Sequence, residues 1–326
     1  MSLTSFTHPV IPQYPNSFRC VSGIRELAQH SQILTDWSLR YDQLSKGPFE
    51  GNIKEAWLDG IQFYEEQLSR AVFQTGETRG ETLCLGVFSQ LSGDTRWMGK
   101  PLTLDDITWS YRGGELMLQT PEHSSLLVLS IPLNLLDDFD EELPRMVCSV
   151  NHADLSARIR QQIVSTLQNL MVHPLHMANR QARLQFQSDI RGLAFDFFNV
   201  VQQHPETVRY SLQKAQKVVA KAQEALLAHP DTPFTVDLLC QMTHTSRRSL
   251  QNCFESVTGL SPAMFLKNMR LNAVKRVLVM GDESLNVSEV AARWGFWHLS
   301  QFAADYKRLF GELPSQTLKV IHRTRQ

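Results

Sequence analysis

"FTVDLLCQMTHTSRRSLQNCFESVTGLSPAMFL", residues 234–266, and "LNVSEVAARWGFWHLSQFAADYKRLFGELPSQTL", residues 285–318, follow one pattern. Leu250, Phe254, Val257, Gly259 and Pro262 of the first stand against Phe302, Tyr306, Leu309, Gly311 and Pro314 of the second, all offset by 52 residues. Upstream, Val236, Leu239 and Cys240 match Val287, Val290 and Ala291 at an offset of 51, so the second copy has one extra residue in its turn. Apolar positions repeating at three and four residues mark amphipathic helices. Each copy predicts a short helix, about Val236–Met242 or Ser288–Trp294, then a tight break, then a longer helix opening near Ser246 or His298. Ser246 suits an N-cap, because its hydroxyl can accept from an otherwise unpaired amide. Gly259 and Gly311 suit left-handed C-caps, and the prolines three residues on can open the next helix. Phe302 and Tyr306 therefore repeat core positions, while Phe296, Phe310 and Trp294 pack around the turn and the helix end.

Between the copies, "SPAMFLKNMRLNAVKRVLVMG", residues 261–281, predicts one long helix. Its stripe of Phe265, Met269, Leu271, Val274 and Leu278 can bury against both units. The layout is a duplicated helix-turn-helix, and a helix presented in this way fits the major groove of DNA. Charge agrees with that reading. Residues 1–208 carry 16 Lys/Arg against 24 Asp/Glu, a net −8, whereas residues 209–326 carry 16 against 9, a net +7. A basic domain beside an acidic one suits a polyanion-binding module joined to something else.

The rest of the chain supplies that partner domain. From Ile53 to Ile131, "IKEAWLDGIQFYEEQL", "LCLGVFSQL", "DITWSYRGGELMLQT" and "SSLLVLSIP" read as short strands separated by polar or glycine-containing turns. Tyr111–Gly114 is a turn, since adjacent glycines tolerate positive φ. A helix is expected around Ser31–Leu44, ahead of the breaker "KGPFEG". Asn134 to Gln203 reads as mostly helical, with Leu155, Ile159, Ile163, Leu167 and Leu170 on one stripe and "RLQFQSDIRGLAFDFFNVVQQH" as a second amphipathic segment. A linker near Gln203–Arg209 leads into "YSLQKAQKVVAKAQEALLAHPDTP", a helix ended by His229-Pro230. The fold class expected is α+β: a β-rich, barrel-like sensor domain over 1–150, a helical dimerisation or linker region over 151–208, and an all-α double helix-turn-helix domain over 209–326.

The C-terminal motifs go further. "SRRSLQNCFESVTGLSP", "RLNAVKRVL" and "VSEVAARWGFWHLSQFAADYKRLFGELPS", in that order, resemble the DNA-binding domain of AraC/XylS-type transcription regulators, over about Ser211–Thr317. "GFWHLSQFAADYKRLFG" and "RLNAVKR" resemble the ethanolamine-operon branch of that family, as, more loosely, does "YDQLSKGPFEG", residues 41–51. The resemblance implies a sequence-specific DNA-binding regulator, an effector-responsive activator, bound to double-stranded promoter DNA and contacting RNA polymerase. It also implies a homodimer, a small-molecule effector and a cytoplasmic location, with ethanolamine and a cobalamin as candidate signals.

On matching positions, Arg248, Gln251 and Asn252 of the first recognition helix fall where base contacts are expected. Arg can pair with guanine, and Gln or Asn with adenine. Arg247 contacts phosphate or closes the helix start. In the second recognition helix, His298, Ser300, Gln301 and Ala304 face the groove, with Lys307 and Arg308 as phosphate neighbours. Some members place arginine at the Ala304 position; Ala303 and Ala304 can make only apolar contacts, such as to a thymine methyl, so positioning or shape readout is the alternative here. His298 either donates to a base or phosphate or caps the helix. Trp297 stays open between packing and the DNA backbone.

Other classes find little support. There is no P-loop, GxSxG, HExxH or dinucleotide-binding glycine pattern, so no enzyme, catalytic residue or cofactor is expected. Glu115 and His123 flank a turn without the His-x-His pair of a metal site, and "DDFDEE", residues 137–142, reads as a solvated acidic loop; no metal is expected. Five scattered cysteines suit a reducing cytosol, and no apolar run approaches a membrane span or a signal region. A sensor pocket would be apolar with a few polar fixings. Trp57, Phe63, Tyr64, Trp97, Trp109, Tyr111 and Arg112 are candidates by composition alone, and the ligand-binding residues stay unassigned. A regulator whose N-terminal domain only dimerises or recruits a partner is the rival reading, and an architectural interaction protein a more distant one.

Overall fold

The computed structural model describes residues 15–136, 145–174, 178–204, 214–232, 234–281 and 285–324. The acidic run 137–142 and most of the linker 203–209 lie outside them. Twelve strands form two antiparallel sheets that face each other without closing into a barrel. The seven-stranded sheet runs in the order β1 (Ser17–Ile24), β3 (Gly51–Leu58), β4 (Ile61–Leu68), β11 (Ser124–Pro132), β6 (Thr82–Gln90), β9 (Asp106–Tyr111), β12 (Met146–Asn151). The five-stranded sheet runs β2 (Ser38–Gln43), β5 (Val72–Thr78), β10 (Gly114–Gln119), β7 (Arg96–Trp97), β8 (Lys100–Pro101).

Both faces of the larger sheet are covered, which explains why "LCLGVF" and "SSLLVLSIP" are almost continuously apolar rather than alternating. On one face Leu83, Leu85, Leu127 and Leu129 pack under α2 (Ala153–Val172) and α3 (Arg180–Gln203). The predicted stripe Leu155, Ile159, Ile163, Leu167 and Leu170 is buried there, against the chain's own sheet. On the other face Tyr64, Phe88, Leu126 and Val128 meet Trp97, Leu116 and Leu118 of the smaller sheet.

Two expectations are corrected. Residues 31–44 are not one helix: α1 (Leu27–Ile33) stops early, Asp36 turns with φ 66°, and β2 follows. Strand β2 pairs with β5 from Ser38–Glu77 to Gln43–Val72, a tertiary contact that overrides local helical spacing. Residues 134–203 are interrupted by β12, whose Val150 and Cys148 alternate into the core opposite Ile107 and Trp109. The turn at Tyr111–Gly114 forms as expected, with Arg112 at φ 58° and Gly113 at φ 78°.

The helical domain comprises α4 (Lys214–Ala228), α5 (Val236–Thr243), α6 (Arg247–Thr258), α7 (Pro262–Met280), α8 (Val287–Arg293), α9 (Leu299–Phe310) and α10 (Pro314–Thr324). Helix α7 serves both units. Phe265, Leu266 and Met269 join the core of α4–α6, and Leu271, Val274 and Leu278 join that of α8 and α9.

A second stripe of α7 is polar yet covered: the buried Asn268 and Asn272 and the half-buried Arg276, four residues apart, all face the N-terminal domain. Strand β2 is an edge strand, so its outward backbone groups need partners. The Asn272 side chain supplies them, accepting from the Gln43 N–H at 2.8 Å and donating to its carbonyl at 3.0 Å. Arg276 donates to the Tyr41 carbonyl at 3.1 Å and pairs with the buried Asp42, and Asn268 donates to the Leu44 carbonyl at 3.2 Å. Asn272→Leu leaves two backbone groups of Gln43 buried and unpaired. The expected loss is about 2–4 kcal/mol, read as a lower urea midpoint, since each stranded group costs roughly 1–3 kcal/mol.

Candidate nucleic-acid interface

The two longer helices keep the sequence offset: α6 spans 247–258 and α9 spans 299–310, 52 residues apart. Ser246 caps α6, its hydroxyl accepting from the Ser249 N–H at 3.2 Å. Gly259 and Gly311 end the two helices at φ 69° and 79°, where a side chain would be strained. The extra residue of the second turn lies around Trp294–Gly295, with Gly295 at φ 80°. Buried Leu250, Phe254 and Val257 match buried Phe302, Tyr306 and Leu309. Because those positions face inward, residues 248, 252 and 255 of α6, and 300, 304 and 307 of α9, must face out.

On α6, Arg247, Arg248 and Asn252 are exposed and Gln251 is half-buried. They do not share one state. Arg247 holds Asp237 of α5 through two bonds, 2.8 and 2.6 Å, which bind the recognition helix to its neighbour. Gln251 donates to Glu255 one turn on. Arg248 and Asn252 are exposed and make no side-chain bond to the described residues.

On α9, His298, Ser300, Gln301, Ala304, Lys307 and Arg308 are exposed. His298 occupies the N-cap position but makes no capping bond. Gln301 is held by Asp305 at 3.1 Å, and Asp305 also pairs with Lys267 of α7 at 3.3 Å and Arg308 at 3.5 Å. Burial pushes the Asp305 carboxyl up, but the bonds from Gln301 and Lys267 outweigh it and hold it below its ordinary range. Sequence spacing did not single out Asp305 or Asp237. The Gln301–Asp305 pair, four residues apart on a helix, was the available signal. Trp297 is 73% exposed, which rules out packing, whereas Trp294 is buried.

The C-terminal ends of both helices rest on the N-terminal domain. The Leu309 carbonyl accepts from the Gly47 N–H at 2.9 Å and from Gln43 at 2.8 Å, and the Ser256 carbonyl accepts from Arg96 at 3.2 Å. A Cβ on Gly311 would lie 2.9 Å from Pro48. Cations at helix C-termini are favoured by the dipole, which suits Arg96.

Between the sheets lies a cavity of about 30 Å³, room for roughly two waters. Tyr64, Trp97 and Trp109 line it, with Leu39 of the β2 edge and Trp37 just before that strand. Of the other composition-based candidates, Phe63 and Tyr111 belong to the core under the helices, Trp57 lies beneath the Arg79 guanidinium, and Arg112 is at the exposed turn. Ser110 Oγ is buried in the cavity wall without a hydrogen-bond partner among the described residues. No group of three or more His, Cys, Asp or Glu among the described residues can hold a metal ion, and Glu115 and His123 are exposed. No helix among them is long and apolar enough to cross a membrane.

Two capped helix-turn-helix units on one shared helix define a duplicated helix-turn-helix domain. Residues 239–319 match the family model described as "Helix-turn-helix domain". The "XylDLEGF operon transcriptional activator" of Pseudomonas putida is 39% identical over 26% of this chain and 27% of its own length. The "Probable thc operon regulatory protein" of Rhodococcus erythropolis is 37% identical over 32% of each chain. The chain thus matches about a third or less of the length of these curated relatives. Among solved structures, the DNA-binding domain of AdpA in complex with a target DNA is 29% identical over 35% of this chain and 96% of that chain, with a TM-score of 0.30. Vibrio cholerae ToxT bound to an unsaturated fatty acid is 14% identical over 87% of this chain and 95% of that chain, with a TM-score of 0.32. The C-terminal region matches a helix-turn-helix domain, and the curated relatives named are described as an operon transcriptional activator and an operon regulatory protein.

Proposed function

We propose that the chain is a sequence-specific DNA-binding transcription regulator, an effector-responsive activator in which α6 is the main polar reader. The observation that carries this is Arg248 beside Asn252, both exposed and unbonded on the outward face of a helix whose two ends are capped. Arg248 donates to guanine O6 and N7, and Asn252 to adenine, while Lys307 and Arg308 meet phosphates. Arg248→Ala is expected to weaken operator binding by roughly 10- to 100-fold and to relax preference at one base pair, the worth of a good bidentate contact. Competition binding against single-base operator variants measures both. Unchanged affinity with unchanged preference removes Arg248 from the interface.

The signal passes through α7. Trp37, just before β2, and Leu39 on it line the inter-sheet cavity, and further along the strand Tyr41, Asp42 and Gln43 meet Arg276 and Asn272. A molecule that wedges the sheets apart moves the edge strand that grips the helix shared by both units. The partners are promoter DNA, RNA polymerase and a second copy of the chain, in the cytoplasm. The inner stripes of α2 and α3 are spent on the chain's own core, so dimerisation of 151–208 uses outward residues such as Leu184 and Met171. The likeness to ethanolamine-operon regulators suggests that operon as target. Its amine is a poor match for this cavity, however, because no ionised side chain lines it and an unpaired buried ammonium is costly. The small size of the cavity favours a second reading, a regulator whose N-terminal domain only assembles or recruits. Thermal shift of the full chain against a metabolite panel separates them: saturable stabilisation by one compound supports sensing.

A further inference from the structure

The 52-residue offset sets Arg247, Arg248, Gln251 and Asn252 of α6 against Leu299, Ser300, Ala303 and Ala304 of α9, and Thr245 against Trp297. Where the first unit offers amides and guanidiniums, the second offers short or apolar side chains. Trp297 is 73% exposed and Leu299 46%, although the inward side of α9 is already filled by Phe302, Tyr306 and Leu309. Two large apolar side chains are therefore left in water at the start of a helix that has no further core to fill. The polar groups nearby do not compensate. Gln301 and Arg308 are both drawn to Asp305, and Ser300 is short.

The occupant of this surface is set by charge. Arg293, Lys307 and Arg308 are exposed around it, in the half of the chain with net charge +7. Duplex DNA combines a polyanionic rim with one apolar feature on the major-groove floor, the thymine C5-methyl. We propose that the second recognition helix reads thymine methyl groups through Trp297 and Leu299, with Ala303 and Ala304 continuing the apolar surface, while α6 reads polar base edges. This rests on the DNA-binding reading above. Trp297 and Leu299 are then specificity-determining residues of the second half-site.

The test uses the full chain and an operator selected from random duplexes. Each thymine is replaced in turn by deoxyuridine, which removes only the methyl. The wild type is expected to bind about fourfold more weakly for each methyl lost within one half-site, the worth of one buried methylene-sized group. Trp297→Thr, which installs the first unit's residue at an exposed position, and Leu299→Ala should bind thymine operators more weakly and become indifferent to the uracil change there. Selection of an operator without any uracil effect overturns this proposal and leaves the DNA-binding reading standing. Failure to select any operator overturns the reading itself. Normal operator binding by Trp297→Thr with lost promoter activation assigns the surface to a protein partner, which also overturns the proposal.

Discussion

Above pH 10 the protein is expected to unfold steeply, losing about 4 kcal/mol of stability per pH unit, with three of its six tyrosines, Tyr41, Tyr64 and Tyr306, ionising only as the fold is lost. Tyr41, Tyr64 and Tyr306 are all buried. Burial raises each phenol well above its ordinary value, and for Tyr41 and Tyr64 the Glu66 carboxylate adds to the effect. Tyr41 already donates to Glu66 at 2.8 Å, so its ionisation would set two negative charges together in the core. The unfolded chain releases these protons near pH 10, whereas the folded chain keeps them. Their contribution is complete below pH 10 and is lost as pH rises toward the folded values, at roughly 1.4 kcal/mol per unit for each group. A domain with an ordinary stability of about 5–15 kcal/mol crosses its midpoint within roughly one to four units. Phenolate absorbance and circular dichroism followed together check this. Tyr64→Phe should reduce the slope by about a third, and tyrosines that all titrate while the dichroism stays native would sink the idea.

The same residues show which parts of the fold sequence can carry. The duplicated units were legible because Leu250 with Phe302, and Gly259 with Gly311, repeat both a side-chain class and a backbone need at one spacing. Strand β2 was not legible. Ser38–Gln43 has no strong alternation, and its conformation is imposed by β5 on one edge and Asn272 on the other, more than 200 residues away in the chain. Likewise Asn268, Asn272 and Arg276 lie off the apolar stripe of α7, and it is the N-terminal domain, distant in the chain, that covers them. At the interface, sequence placed the outward residues but not their partners. Arg247 and Arg248 are neighbours of one type, yet only the first is committed to Asp237. That difference comes from how α5 crosses α6, and it leaves the Arg248 side chain without a bond to the described residues.

Phe265→Ala should have the largest single-residue effect on stability, about 4 kcal/mol, and should split one unfolding transition into two. Phe265 is fully buried on α7 and stacks edge-on with Phe254 of the first unit at 5.2 Å and with Phe73 of β5 at 5.5 Å. Truncating a buried phenylalanine costs about 3–5 kcal/mol through lost transfer energy and a cavity, and two aromatic pairs place this site toward the upper half. The ring sits within the core shared between the sheet, through Phe73 and Met117, and the helix-turn-helix domain, so its loss uncouples them as well as weakening each. Phe302→Ala removes a buried ring whose aromatic pairs among the described residues, Phe296 and Tyr306, lie within the second unit. It should cost a similar amount without loosening the N-terminal domain. Urea unfolding followed separately by dichroism and by proteolysis of the N-terminal sheet distinguishes the two variants. A single coincident transition in Phe265→Ala would mean that the polar grip of Asn272 and Arg276 on β2 holds the domains together without the aromatic contact.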